Sequence, residues 1–354
     1  VTTFEYPAVE LRTSPHIKSE ITTPIIMRNV VYALLPLVIY AFVLFGLSAL
    51  SLIIVTTAVC VITEYVFCLL SNRPSTLSDW SAVITGILLG LVLPPGFPLW
   101  MAAVGAFFSI AIGKVLFGGL GYNVFNPALV GRAFLQAAFP TSITSWTPAF
   151  FAGRFTSFIP STLALPFGKP PSLTQFIQER AVDGFSGATP LALFKFQGIT
   201  TDSFKLFTGM ISGSAGETCA LLILLCGAYL VVRNMLDWRI TAGVLLSVFL
   251  LSGIFYVLNP QRYPSPFFML FSGGLMLGAV FMATDMVTSP TTPLGVWIFG
   301  VAIGVITVVI RLKGGLPEGV MYAILIANAF VPLIENLTQP RVYGTVKRKE
   351  TVKT

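Results

Sequence analysis

Long uncharged stretches alternate with shorter polar ones along almost the whole chain, and the lengths of the uncharged stretches set the architecture. From Asn29 to Thr63 no residue carries a charge. A helix rising 1.5 Å per residue crosses the roughly 30 Å hydrocarbon core of a bilayer in about 20 residues. This run is too long for one crossing and reads as two helices with a break near Gly46–Ser51. The second must continue to about Leu70 to reach across, which places Glu64 at membrane depth. Eight more apolar stretches follow: Trp80–Leu93, stopped by Pro94-Pro95, then Leu99–Val115, Phe125–Phe139, Thr218–Val232, Ile240–Leu258, Pro266–Ala283, Leu294–Ile310 and Val320–Ile334. The expected organisation is an N-terminal arm (1–27), a first membrane repeat of about five spans (28–139), a polar loop rich in Pro, Ser, Thr and Phe (140–216), a second membrane repeat of about five spans (217–337) and a basic tail (338–354).

Composition agrees with membrane embedding. Only 10% of the 354 residues are charged and 55% are hydrophobic, against roughly 25% charged in a soluble domain. So few charges cannot coat a water-facing body of this size, and lipid must solvate most of it. The net charge of +7 then reads as topology and not as a nucleic-acid surface. With both termini inside, the inside segments hold Arg12, Lys18, Arg28, Arg73, Lys114, Arg233, Arg239 and the basic tail, while short outer loops hold only Arg262, Arg311 and Lys313. Basic residues favour the cytoplasmic side, and long loops cross largely regardless of charge. Both termini are therefore expected in the cytoplasm and 140–216 outside. The first apolar run is too long, and its N-terminal flank too mixed in charge, for a secretory signal.

An internal repeat refines the fold. Gly118-Gly119-Leu120 returns as Gly314-Gly315-Leu316, and at the same offset Val124, Leu129, Ala133 and Phe134 meet Val320, Leu325, Ala329 and Phe330. Gly86-x-x-Leu89-Gly90-x-Val92 likewise returns as Gly274-x-x-Leu277-Gly278-x-Val280. Equivalent elements lie five spans apart. Five is odd, so the halves should run in opposite directions, an inverted repeat of the kind found in transporters. The repeated segments contain or abut Pro94, Pro95, Pro127, Pro290 and Pro332. Broken helices free backbone groups that membranes tolerate only beside a protein-lined cavity, so a ligand or ion path is expected between the halves.

Few side chains can carry redox chemistry directly. Cys60, Cys68, Cys219 and Cys226 form no C-x-x-C pair, and His16 is the lone histidine. A metal or iron–sulfur centre needs clustered thiolates or imidazoles, so an organic cofactor is the expected redox group. The loop holds Asp183-Gly184-Phe185-Ser186-Gly187-Ala188-Thr189-Pro190. Taken bare, this run is a turn. It also matches, at every fixed position, the Asp-x-x-(Ser/Thr)-Gly-Ala-Thr signature at which a transferase esterifies FMN to the final threonine. A threonine hydroxyl is a poor nucleophile without an activating partner, so an external enzyme and an exposed segment are expected. Gly184, Gly187 and Ala188 leave the backbone open to it.

Other segments carry a wider likeness: Ser14-Pro15-His16, Gly121-Tyr122-Asn123-x-x-Asn126-Pro127-Ala128, Gly213-Ser214-x-Gly216-Glu217-Thr218, Ala283-Thr284-Asp285-x-x-Thr288-Ser289-Pro290 and Pro317-Glu318-Gly319. Over nearly its full length the chain resembles the family that unites the D subunits of Rnf ferredoxin–NAD oxidoreductase complexes with, more distantly, the B subunits of sodium-translocating NADH–quinone reductases. The short N-terminal arm is similar to the Rnf type. Met286 departs from the pattern, where proline is expected. The resemblance implies an all-α polytopic fold of about ten transmembrane helices related to urea and ammonium transporters, in a bacterial or archaeal cytoplasmic membrane. It implies a translocase subunit that is not catalytic alone and that couples ferredoxin/NAD electron transfer to Na⁺ or H⁺ transport. It further implies FMN on Thr189, exchange of electrons with a covalent FMN on the G subunit, a non-covalent riboflavin within the membrane, and the membrane A and E subunits and a flavin transferase as partners.

Several polar residues remain open to two readings. Glu64 either binds a translocated cation or pairs with a polar neighbour, since a lone buried carboxylate is costly. Arg132 either neutralises a flavin or pairs with a buried acid. Asn123, Asn126, Asp285 and Glu318 either line a riboflavin site or cap half-helices. Glu217, at the mouth of the sixth span, is a further candidate flavin neighbour. A non-redox transporter or channel, or a structural scaffold, would share the fold but would carry no flavin on Thr189.

Overall fold

A computed structural model describes residues 22–72, 75–151, 153–166, 189–209 and 213–340. Among these residues all regular structure is helical. The first half contains α1 (Thr23–Phe45), α2 (Leu47–Leu70), α3 (Ser81–Val92), α4 (Leu99–Ala111), α5 (Pro127–Ala138) and a single turn, α6 (Pro140–Ile143). Two short helices, α7 (Pro190–Gln197) and α8 (Ser203–Thr208), precede the second half. That half holds α9 (Ala220–Val232), α10 (Trp238–Leu258), α11 (Pro266–Phe271), α12 (Leu275–Leu277) running into a π-helical turn (Gly278–Met282), α13 (Pro293–Lys313) and α14 (Val320–Thr338). Six helical stretches are long and apolar enough to cross a bilayer: Thr23–Phe45, Leu47–Leu70, Leu99–Phe117, Trp238–Leu258, Pro293–Lys313 and Val320–Thr338. Ser81–Val92 and Ala220–Val232 are shorter apolar helices. The chain is a polytopic membrane protein.

The same packing order recurs in both halves. Helix α2 packs on α3 and α4, and α4 on α5; in the second half α10 packs on α13, and α13 on α14. Side chains on Gly86 and Gly90 of α3 would run into the backbone of α2 at Thr57 and Ile53. That closeness lets Thr56 Oγ1 donate to Gly86 O at 2.8 Å. The halves meet where α1 touches α9 and where α5 touches α14.

One feature follows the expected broken helices and one departs from the sequence expectation. Pro266–Ala283 does not form one helix, because Ser272-Gly273-Gly274 interrupts it. Gly273 takes φ +64°, open to glycine at little cost, and the Glu217 carboxylate lies where a Cβ on Gly274 would sit. The chain restarts as α12 and closes the π turn through Ala283 N–H to Gly278 O at 2.7 Å. The first part of the polar loop is also well packed, with Phe151 and Ile159 buried. Phe150 N–H donates to Leu44 O (3.0 Å), Leu47 N–H to Arg154 O (2.9 Å) and Leu99 N–H to Thr162 O (3.1 Å). Ser161 Oγ donates to Gly96 O at 2.7 Å. This segment therefore covers both the α1–α2 and the α3–α4 turns, so the two turns lie on its side of the molecule.

The sharp α1–α2 break falls at Gly46, φ +70°, within the expected interval. A Cβ there would collide with the Arg154 carbonyl. Gly46→Val is expected to cost at least about 2 kcal/mol through the left-handed backbone alone. The check is a lowered thermal midpoint in detergent together with faster proteolysis between residues 140 and 166.

Candidate functional site

A cleft with about 750 Å³ of empty space, part of it open to solvent, lies between the halves. Its polar lining is Ser81, Thr85, Lys114, Asn123, Asn126, Thr284 and Asp285, set among apolar side chains such as Leu88 and Phe281. Local turn chemistry places these groups. Asn126 caps α5, its Oδ1 accepting from Ala128 N–H (3.1 Å) and Leu129 N–H (3.4 Å). Pro127 follows as first helical residue, where a missing N–H is harmless. The Asn126 amide nitrogen reaches across the halves to Met282 O at 3.4 Å. Asp285 closes its own turn by accepting from Val287 N–H (3.3 Å) and Thr288 Oγ1 (3.4 Å). Asn123 donates to Phe125 O at 3.3 Å, while its buried Oδ1 has no hydrogen-bond partner among the described residues. Capping and cleft lining are thus two tasks of the same residues.

Beside the cleft lies a buried ion pair. Lys114 Nζ donates to Glu64 Oε1 (2.7 Å) and to Ser81 Oγ (2.5 Å), and Thr76 Oγ1 also donates to Glu64 Oε1. Both charged residues are 2% exposed. Glu64 is therefore paired, as one of its two readings required. Lys114 is a buried counter-ion and not the inside-loop charge that the topology count made it. A buried pair of this kind leaves each partner strongly dependent on the other.

A second charged cluster joins the halves. Arg132 of α5 donates to Glu217 Oε1 at 2.8 Å and to Glu318 Oε2 at 2.6 Å. Nearby Arg311 is buried in α13 and donates to Met269 O (2.5 Å) and Ser272 O (2.9 Å), the carbonyls freed at the end of α11. It too is buried and not an outer-loop charge. Glu217 and Glu318, candidate flavin neighbours on sequence, are bound to Arg132 and lie outside the cleft lining. Of the cleft candidates, the structure brings together Asn123, Asn126 and Asp285.

Thr189 begins a segment that packs near this cluster, where Leu191, Arg311 and Glu318 all lie close to Gly273. It is the N-cap of α7, its Oγ1 accepting from Ala192 N–H at 3.3 Å, and it is 5% exposed. Leu191 packs with Phe268 and Leu206. Lys195 anchors the far end of α7 by donating to Arg311 O (3.3 Å), Gly314 O (2.5 Å) and Leu316 O (2.6 Å). Desolvation lowers the Lys195 pKa from its ordinary value. The segment expected to be exposed is thus docked at Thr189. The motif residues Asp183, Ser186, Gly187 and Ala188 lie outside the described residues.

Sequence reasoning missed Lys114. A signal existed: between Asp79 and Arg132 it is the one charged residue, and a lone cation in an apolar run needs a partner such as Glu64.

Fold and site define a class: a helical polytopic membrane protein with a polar cleft and buried ion pairs at the junction of its halves. The chain belongs to the NQR2, RnfD, RnfE family, whose model matches residues 10–344. It is 42% identical over 344 residues to the D subunit of the Na(+)-translocating ferredoxin:NAD(+) oxidoreductase complex of Acetobacterium woodii, covering 96% of each chain. It is 38% identical over 345 residues to the D subunit of the proton-translocating ferredoxin:NAD(+) oxidoreductase complex of Clostridium ljungdahlii, covering 95% of this chain and 96% of that one. The D subunit of an ion-translocating oxidoreductase complex from Alcanivorax borkumensis is 38% identical over 345 residues, covering 94% of this chain and 96% of its relative.

Proposed function

We propose that this chain is the D-type membrane subunit of an ion-translocating ferredoxin–NAD oxidoreductase complex, carrying FMN as a phosphoester on Thr189 and riboflavin in the cleft. The observation that carries this reading is the end-to-end likeness to relatives named as that component, at 42% identity for the Acetobacterium woodii protein. Flavins, when bound, supply one- and two-electron transfer, and the protein supplies placement and electrostatics.

The residues present suit both groups. The cleft offers a buried, unpartnered acceptor at Asn123 Oδ1, which an imide N–H of a flavin ring would satisfy. Amide, ammonium and carboxylate groups surround it, with apolar walls for the ring faces. At Thr189 the hydroxyl stands at the N-terminus of the eight-residue helix α7, where the helix dipole favours a phosphate. Because Thr189 is 5% exposed, a flavin transferase must reach it before α7 settles on α11, or after α7 lifts away. Arg132 ties Glu217 to Glu318, and Arg311 holds the carbonyls at the end of α11.

In this reading both termini are cytoplasmic and residues 140–216 external, with the distribution of basic residues as support. The recurrent packing of α2, α4 and α5 against that of α10, α13 and α14 supports an inverted repeat and a ten-span count. The G, A and E subunits are the partners, with Na⁺ or H⁺ as the coupled ion. The test is peptide mapping of the region 181–195 in protein purified from cells that possess the transferase. A peptide heavier by one esterified FMN, together with free riboflavin released on denaturation, is the expected result. An unmodified peptide and no released flavin would instead favour a non-redox transporter.

A further inference from the structure

One buried cation stands between the cleft and Glu64. An ammonium group has three N–H donors. Lys114 uses one on Glu64 Oε1 and one on Ser81 Oγ, and both Lys114 and Ser81 line the cleft. Among the described residues the third donor has no partner, which leaves it to face a ligand there. The pair is also lopsided. Glu64 Oε1 receives both Lys114 and Thr76, whereas its Oε2 is buried without a partner among the described residues. Across the cleft the facing carboxylate is Asp285, while Arg132 is committed to Glu217 and Glu318. Among the described residues, Lys114 is therefore the one fixed positive charge in the cleft lining, and Glu64 is the group that offsets it.

In a low-dielectric site, unit charges a few ångströms apart interact far more strongly than in water. A negative charge arriving in the cleft would compete with Glu64 for Lys114. We propose that Lys114 sets the preference of the cleft for the reduced over the oxidised form of its flavin, with Glu64 as the counterweight that limits that preference. The proposal rests on the reading of the cleft as a flavin site. Reduction of a bound flavin would add negative charge to its ring, and the Lys114 ammonium would meet that charge, with no bond to the protein formed or broken.

Opposite signs follow for the two partners. Lys114→Met removes the cation and should weaken binding of the reduced form relative to the oxidised form at least tenfold, which lowers a two-electron midpoint by about 30 mV. Glu64→Gln leaves the cation unopposed and should raise the midpoint. Lys114→Arg keeps the charge and should stay close to the parent protein. The experiment is a spectroelectrochemical titration of the full-length protein in detergent with its natural flavins, the covalent FMN serving as an internal reference that should not move. Should Lys114→Met fail to fold, Glu64→Gln still gives the sign, with Lys114→Arg as the charge-preserving control. Shifts of opposite direction at Lys114 and Glu64 support the proposal; unmoved midpoints, or shifts in the same direction, overturn it while leaving the flavin reading intact. Parent protein that releases no riboflavin on denaturation overturns both together.

Discussion

Thr189→Val is expected to carry no covalent flavin at all, while the membrane body remains folded. Valine keeps the β-branched shape and removes the hydroxyl that the phosphoester requires. The structural cost is confined to one cap, since Thr189 Oγ1 accepts a single hydrogen bond from Ala192 N–H. Losing an N-cap costs about 1 kcal/mol. Helix α7 keeps its other attachments, the packing of Leu191 with Phe268 and Leu206 and the three carbonyls that hold Lys195. Thr189→Ser retains a hydroxyl and is expected to retain flavin at a reduced level. In-gel fluorescence under denaturing conditions reads both outcomes, and fluorescence that survives Thr189→Val at the parent's intensity would falsify attachment at this residue.

Arg132→Met is the second large effect, and it acts on stability. Arg132 is 6% exposed and serves two carboxylates from separate parts of the chain. Removing one partner of a buried ion pair costs about 3–5 kcal/mol, because the remaining charge has nowhere to go. Here the buried Glu217 beside the broken helix is stranded, and Glu318, whose side chain is 22% exposed before α14, loses its partner as well. The protein should lose thermal stability in detergent and accumulate poorly in membranes. Neutralising the stranded acids in Arg132→Met/Glu217→Gln/Glu318→Gln should recover most of the loss. If the triple variant is no more stable than Arg132→Met, charge stranding is the wrong explanation and packing of the guanidinium stem must account for it.

Helix existence was readable in the sequence because lipid imposes a strong, local rule: uncharged runs of about 20 residues, punctuated by proline and glycine. The α1–α2 break at Gly46 and the ends near Leu70, Val232 and Leu258 follow from that rule. The interruption at Ser272-Gly273-Gly274 was written in the sequence as well, but an unbroken apolar run hides it. The charged pairs were not readable. Glu64 and Lys114 are 50 residues apart, and Arg132 and Glu318 are 186 apart. Lys114, alone between Asp79 and Arg132, carries the mark of a cation that needs a partner, but nothing local names Glu64 as that partner, so it and Arg311 read as topological charges. The cleft fared better. Asn123, Asn126 and Asp285 stand at turns that broken helices require, and such turns gather where the two halves meet. Glu217 carried the same kind of signal, yet Arg132 claims it.

The short helices have an electrical consequence. Twelve residues of α3 rise only about 18 Å, well below the roughly 30 Å of hydrocarbon around them, and the cleft opens beside it. The residues that follow, 93–98, are non-helical yet buried, so part of the path through the protein beside the cleft is backbone shielded from lipid by its neighbours. A charge crossing the whole drop exchanges about 2.3 kcal/mol with the field per 100 mV. In this molecule a charge moving past Lys114 and Asp285 in the cleft would do that work in proportion to the share of the drop it crosses.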